Sequence, residues 1–170
     1  TTISAGALQI GAGSTTGSLG SGNVVNNASL ILNRSDAVTV GNTISGTGSV
    51  SHAGTGTTTL TAANTYSGTT TISAGTLQVG SGGTTGSLGA GAVTNNATLA
   101  FNRSDTVTVA NAISGTGAVT QIGAGTAVLT GANSYSGTTT IAAGTLQVGA
   151  GGTTGTLGTG NHFIEVCLDE

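Results

Sequence analysis

One phrase occurs three times in this chain. From Tyr66 it reads YSGTTTISAGTLQVG, from Tyr135 it reads YSGTTTIAAGTLQVG, and a third copy, TTISAGALQIG, opens at Thr1. Ile3, Ile72 and Ile141 hold the same place in each copy, as do Leu19, Leu88 and Leu157, so the period is 69 residues without insertion or deletion. Aligning 1–69 on 70–138 gives 47 identities, and the exchanges include Ala/Thr, Ser/Gly and Ile/Val swaps. A fixed period of this kind defines a repeat architecture, in which each unit buries its apolar face against its neighbours. The units are 1–69, 70–138 and a partial third, 139–160, followed by a divergent tail, 161–170.

Within each unit the apolar residues stand two apart: Leu8/Ile10, Leu30/Leu32 and Val38/Val40, then Leu77/Val79, Leu99/Phe101 and Val107/Val109. Spacing of two puts one face of a strand inside and one outside. No helical spacing persists for two turns, and the 32 glycines would each cost a helix about 1 kcal/mol. Thr is the commonest residue, at 35, and charged residues make up 4% of the chain against roughly 25% in an ordinary domain. Many short strands joined by tight turns fit that composition.

The apolar pairs also recur at uneven longer steps. One column runs Leu8/Ile10, Leu30/Leu32, Val50, Leu77/Val79; a second runs Leu19, Val38/Val40, Leu60, Leu88; a third runs Val24, Ile44, Tyr66, Val93. Three such columns predict a parallel β-solenoid, a right-handed β-helix with about three rungs in each 69-residue unit. Its core should contain Ile72, Leu77, Val79, Leu88, Leu99, Phe101, Val107, Val109, Ile113, Val119 and Leu129. Gly75, Gly80, Gly89, Gly91, Gly115 and Gly117 mark corners, and Asn26–Asn27 and Asn95–Asn96 suggest turns with left-handed backbone. The same strand pattern also admits an antiparallel sandwich or barrel.

The stretch LTGANSYSGTTTIAAGTLQVG, Leu129–Gly149, resembles the passenger-associated transport repeat of bacterial autotransporters, whose hallmark is of the form L-T-G-x-N-x-Y-x-G-x-T-x-I-x-x-G-T-L. Leu60–Gly80 matches as well, with Ala62 where the motif prefers Gly, and the intervening sequence is similar to passenger sequence from Thr1 to Gly160. The resemblance implies a right-handed β-helical passenger, exported to the cell surface, with repeats that aid passage through the outer membrane. It implies a translocator β-barrel as partner in the full-length protein and an unidentified surface ligand, a glycan or a cell-surface protein. The chain starts within a repeat and shows no signal peptide at Thr1, so it reads as part of a longer protein. After Gly160, NHFIEVCLDE replaces the expected AVTNNATLAF, as a cap or as a non-native end.

Charge narrows the function further. Up to Gly160, Arg34 and Arg103 balance Asp36 and Asp105, and the net −3 comes from Glu165, Asp169 and Glu170. Neither nucleic acid nor an anionic membrane would meet a basic surface here. No apolar run is long enough for a membrane-spanning helix. The Asn33–Asp36 and Asn102–Asp105 sets hold one carboxylate each, one repeat apart, and cannot supply the carboxylate pair of glycoside hydrolysis. They read as Arg–Asp turns in solvent. His162, Glu165 and Cys167 lack a fourth ligand and a zinc spacing. GSGGTTGSLG has no Asp for a calcium nonapeptide, and without Lys there is no phosphate loop. Asn27, Asn33, Asn96 and Asn102 lie in N-x-S/T sequons that a Thr-rich chain generates by chance, and Tyr66 and Tyr135 read as corner seals. No residue is assigned a catalytic, cofactor-binding or metal-binding role, and no enzyme activity is expected. The leading reading is a stalk or adhesive scaffold; the alternatives are a Thr-rich ice- or surface-binding solenoid and the scaffold part of a carbohydrate-active β-helix enzyme.

Overall fold

A computed structural model describes residues 1–164 as short strands that all pair in parallel, with no helix. Each turn of the chain visits three faces in succession. The opening turns contribute β1 (Thr2–Ile3), β2 (Ala7–Ser14), β3 (Val24–Asn26), β4 (Ser29–Arg34), β5 (Val38–Val40), β6 (Ile44–Ser45), β7 (Ser49–His52) and β8 (Thr57–Leu60). The middle turns contribute β9 (Thr70–Ile72), β10 (Thr76–Val79), β11 (Val93–Asn95), β12 (Thr98–Phe101), β13 (Thr106–Val109), β14 (Ile113–Ser114) and β15 (Ala118–Gln121). The last described turns hold β16 (Thr126–Leu129), β17 (Thr139–Ile141), β18 (Thr145–Val148) and β19 (His162–Ile164).

The first face carries β1, β3 and β6, passes through two rungs without strand, and resumes with β13, β16 and β18. The second face stacks β2, β4, β7, β9, β11 and β14, and the third stacks β5, β8, β10, β12, β15, β17 and β19. A parallel β-solenoid is therefore the architecture, and all eleven residues named for its core are buried in one continuous cluster. Alternation explains it: strands such as Leu30–Leu32 and Leu77–Val79 turn every second side chain inward.

The registers refine the rung length and redirect the columns. On the second face Leu8 pairs with Leu30, Leu30 with Val50, and Val50 with Thr70, not with Leu77. Leu77 lies on the next face, where Thr58, Leu77, Leu99, Val119 and Thr139 are successive partners. Likewise Leu60 passes to Val79 and not to Leu88, and Val93 sits on Thr70 on the second face. The strand that closes the common phrase is β2 on the second face, β10 on the third and β18 on the first. Three full turns and a third of another thus make one 69-residue unit, about 21 residues per rung, with single steps of 19 to 23. Equivalent residues in neighbouring repeats do not stack; they lie a third of a turn apart. The physical reason is that inward places are filled by Thr58, Thr70 and Thr139, all buried, which an apolar column passes over.

Buried Asn side chains supply much of the stitching between rungs. Asn64 Oδ1 accepts from the Ile44 N–H at 2.9 Å, and its Nδ2 donates to the Ser87 carbonyl at 2.8 Å, so one side chain ties three rungs. Asn133 repeats this between Ile113 and Thr156. Asn26 and Asn95 donate to the Ser49 and Ala118 carbonyls, and Asn27 and Asn96 accept from the Thr47 and Thr116 N–H groups. None of these Asn residues has positive φ, so the left-handed turn expected at the Asn pairs is corrected: they act through side-chain hydrogen bonds. Among the corner glycines, Gly75 does need its φ of 58°. Gly89 is not in the left-handed region but runs under the Tyr66 ring and carbonyl, where a Cβ would collide.

The tail begins inside the fold. The Thr139 N–H donates to the Asn161 carbonyl, and His162–Ile164 pair with Thr139–Ile141 as Val93–Asn95 pair with Thr70–Ile72 one repeat earlier. The divergent sequence still adds one strand to the third face. Residues 165–170, with Glu165, Cys167, Asp169 and Glu170, lie outside the described residues.

Candidate interaction surface

The two Arg–Asp sets are local clamps. Arg103 meets Asp105 through Nε–Oδ1 at 2.7 Å and Nη2–Oδ2 at 2.6 Å, a bidentate pair, and Arg34 meets Asp36 in the same way. The expected pair forms, but the Arg is not a solvated group: its side chain is 14% exposed in both copies. It reaches back one rung, where Arg103 donates to the carbonyls of Gly86 and Thr84, and Arg34 to those of Gly17 and Thr15. The Arg guanidinium hydrogen bond holds the carboxyl groups of Asp36 and Asp105 below the ordinary carboxylate range, and Asp36 keeps Arg34 charged in turn. Each carboxylate is thus committed to an Arg. The first set lies at the end of β4 and the second follows β12, on different faces, and they share no cleft.

A groove of about 400 Å³ opens where the first face lacks strand. Asn64, Ser87, Leu88, Val107 and Asn111 line it, with Phe101 at its floor. The Ile10–Asn42 region holds its repeat-mate, lined by Leu19, Leu32, Val38 and Val40, and shrunk to about 50 Å³. Sheet faces carry hydroxyls outward, but the files are broken: Thr39 and Thr59 lead to Gln78 and Ala100 before Thr120 and Thr140 resume. Tyr66, Tyr135 and Phe101 are buried, and both tyrosine hydroxyls bond a threonine hydroxyl, Thr70 and Thr139, at 2.8 Å. The tyrosines seal corners, as the sequence suggests, and offer no exposed ring for stacking against a sugar. Asn27 and Asn96 are exposed in their sequons, while Asn33 and Asn102 are half-buried.

His162 opens β19, and its proposed companions Glu165 and Cys167 lie outside the described residues. Among the described residues no three His, Cys, Asp or Glu side chains gather as a metal site. Sequence reasoning missed two buried polar groups, His52 and Gln121, which are repeat-mates at inward positions of β7 and β15. The signal was present: each stands two residues after an inward Val, in Val50-Ser-His52 and Val119-Thr-Gln121.

The motif Leu60–Gly80 can now be read residue by residue. Leu60, Tyr66, Thr70, Ile72 and Leu77 point into the core, Asn64 ties three rungs, Gly68 passes over the Gly48 carbonyl, and Gly75 takes the left-handed corner. These positions of the motif therefore serve the fold. These features define the chain as a fibrous, repeat-built β-solenoid. Residues 53–79 and 119–148 match the passenger-associated-transport-repeat family. The chain is similar to the adhesin BmaC autotransporter of Brucella suis biovar 1 (strain 1330), at 42% identity over 80 residues, covering 41% of this chain and 2% of that protein. No solved structure matches it. Two segments of the chain thus match the passenger-associated transport repeat, and the chain is similar to autotransporter passenger sequence.

Proposed function

We propose that the segment is a stalk or adhesive scaffold on the outer face of the bacterial outer membrane, without catalytic residues of its own. Its repeats assist passage through the membrane, and a translocator β-barrel elsewhere in the full-length protein is the partner in that step. The observation that carries this reading is the inward direction of Leu60, Tyr66, Thr70, Ile72, Leu77 and Val79 in the matched repeat: they encode a rod that builds rung upon rung. A rod of this kind needs no ligand to fold. The similarity to an adhesin supports adhesion as the task of the whole protein. The broken hydroxyl files give the ice-binding alternative no regular lattice, and Arg-paired Asp36 and Asp105 give the enzyme alternative no acid–base pair.

The test is deletion of 70–138, one whole repeat, from the full-length protein. Surface display is read by antibody on intact cells, and adhesion is read per displayed molecule. Reduced display with unchanged adhesion per molecule is the expected result. Unchanged display together with abolished adhesion would assign the segment to ligand binding and overturn the scaffold reading.

A further inference from the structure

His52 and Gln121 occupy the same place in successive repeats, and only one of them can take up a proton near neutral pH. His52 is fully buried, with Leu32 and Ile72 as its partners on the rungs either side. Its Nε2 lies 3.3 Å from the Gly56 carbonyl, and its Nδ1 has no partner. A neutral ring with the proton on Nε2 fits this geometry, donating to Gly56 and leaving one bare lone pair in the core. Protonation at Nδ1 would add a buried N–H without an acceptor and a buried charge without a counter-ion. Gln121 meets the same corner with an amide, whose Nε2 donates to the Gly123 carbonyl at 2.8 Å and the Gly125 carbonyl at 3.1 Å, and which stays neutral at any mild pH.

The surroundings of His52 hold nothing to neutralise it. On β4 the one ionisable side chain is Arg34, already committed to Asp36; β7, β8 and β9 contribute no other, and Tyr66, between β8 and β9, bonds Thr70. We propose that His52 makes the Ser49–Leu60 rung an acid-sensitive point of the array, opening in mild acid while the homologous Ala118–Leu129 rung stays closed. The direction of the effect follows from burial, which lowers the affinity of the folded ring for a proton below that of the ordinary imidazole. Folded stability is then complete above about pH 6.5 and declines as pH falls below it, because the open rung binds the proton better.

Hydrogen exchange by mass spectrometry at pH 7.5 and 5.5, corrected for intrinsic rates, tests this on the whole chain, on His52→Gln and on Gln121→His. If only the open rung takes the proton, protection over 49–60 should fall by up to about tenfold at pH 5.5, with 118–129 unchanged. His52→Gln should abolish the fall, and Gln121→His should create one over 118–129. The only other histidine, His162, is unaltered in all three, so a change confined to the swapped rung is not its doing. An acid response that survives His52→Gln would overturn the proposal. Should that variant fail to fold, an unresponsive 118–129 rung in Gln121→His would overturn it equally.

Discussion

Thr76–Val79 and Thr145–Val148 are the same four residues, TLQV, in two surroundings. Strand β10 has β8 on one side and β12 on the other, and its Leu77 and Val79 are almost completely buried. Strand β18 pairs only with β16 among the described strands; Leu146 is partly buried and Val148 is 42% exposed. Nothing in the four residues distinguishes them. What differs is the number of rungs that cover them, so the stability of a rung belongs to its interfaces and not to its sequence.

The sharpest way to break the comparison is to truncate the same leucine in both strands. Leu77→Ala should cost about 2–5 kcal/mol, because it leaves a cavity between two rungs that cannot close. Leu146→Ala should cost under about 1 kcal/mol, as at a half-covered surface site. Denaturant melts of the two variants measure both, and equal losses would show that rung coverage is not what decides. An intermediate effect is expected at the Asn ties. Asn64→Ala strands the buried Ile44 N–H, which costs about 1–3 kcal/mol, and takes one donor from the part-buried Ser87 carbonyl. Asn133→Ala removes the same pair of bonds nearer the last described rung, where water can replace one, so its loss should be smaller.

Much of this fold was legible before any coordinates. Alternation at Leu30/Leu32, Leu77/Val79 and Val107/Val109 marks strands because period two has one physical meaning in a half-buried sheet. The rotation between repeats was not legible. It depends on Thr58, Thr70 and Thr139 standing in the core, and Thr is equally at home outside, so an apolar column overlooks them. His52 and Gln121 were missed for the same reason, being polar residues at inward places. The Arg34–Asp36 and Arg103–Asp105 pairs could be read from local spacing. The reach of each Arg to a loop 17 to 19 residues earlier could not, since it depends on which rung lies beneath.

The smallest effect concerns that reach, and the two glycine loops of the repeats show it. Loop 80–86 is held by Arg103 through the Thr84 and Gly86 carbonyls, while no Arg reaches loop 149–155 among the described residues. Hydrogen exchange should therefore find 81–85 better protected than 150–154. Arg103→Gln should bring the first loop to the level of the second and hardly move the melting midpoint, since a clamp outside the core orders a loop without filling the core. Acid gives an independent reading. Asp105 is held below its ordinary value of 3.8 by the Arg103 hydrogen bond, so its contribution is fully present above that pH and is lost as pH falls through the depressed folded value. Loop 80–86 should therefore stay closed at pH 5.5, where the His52 rung has begun to open, and loosen only in strong acid. Asp105→Asn should loosen it at neutral pH. Loosening between pH 5 and 6 in the unaltered chain would mean that the clamp does not rest on the Asp105 carboxylate.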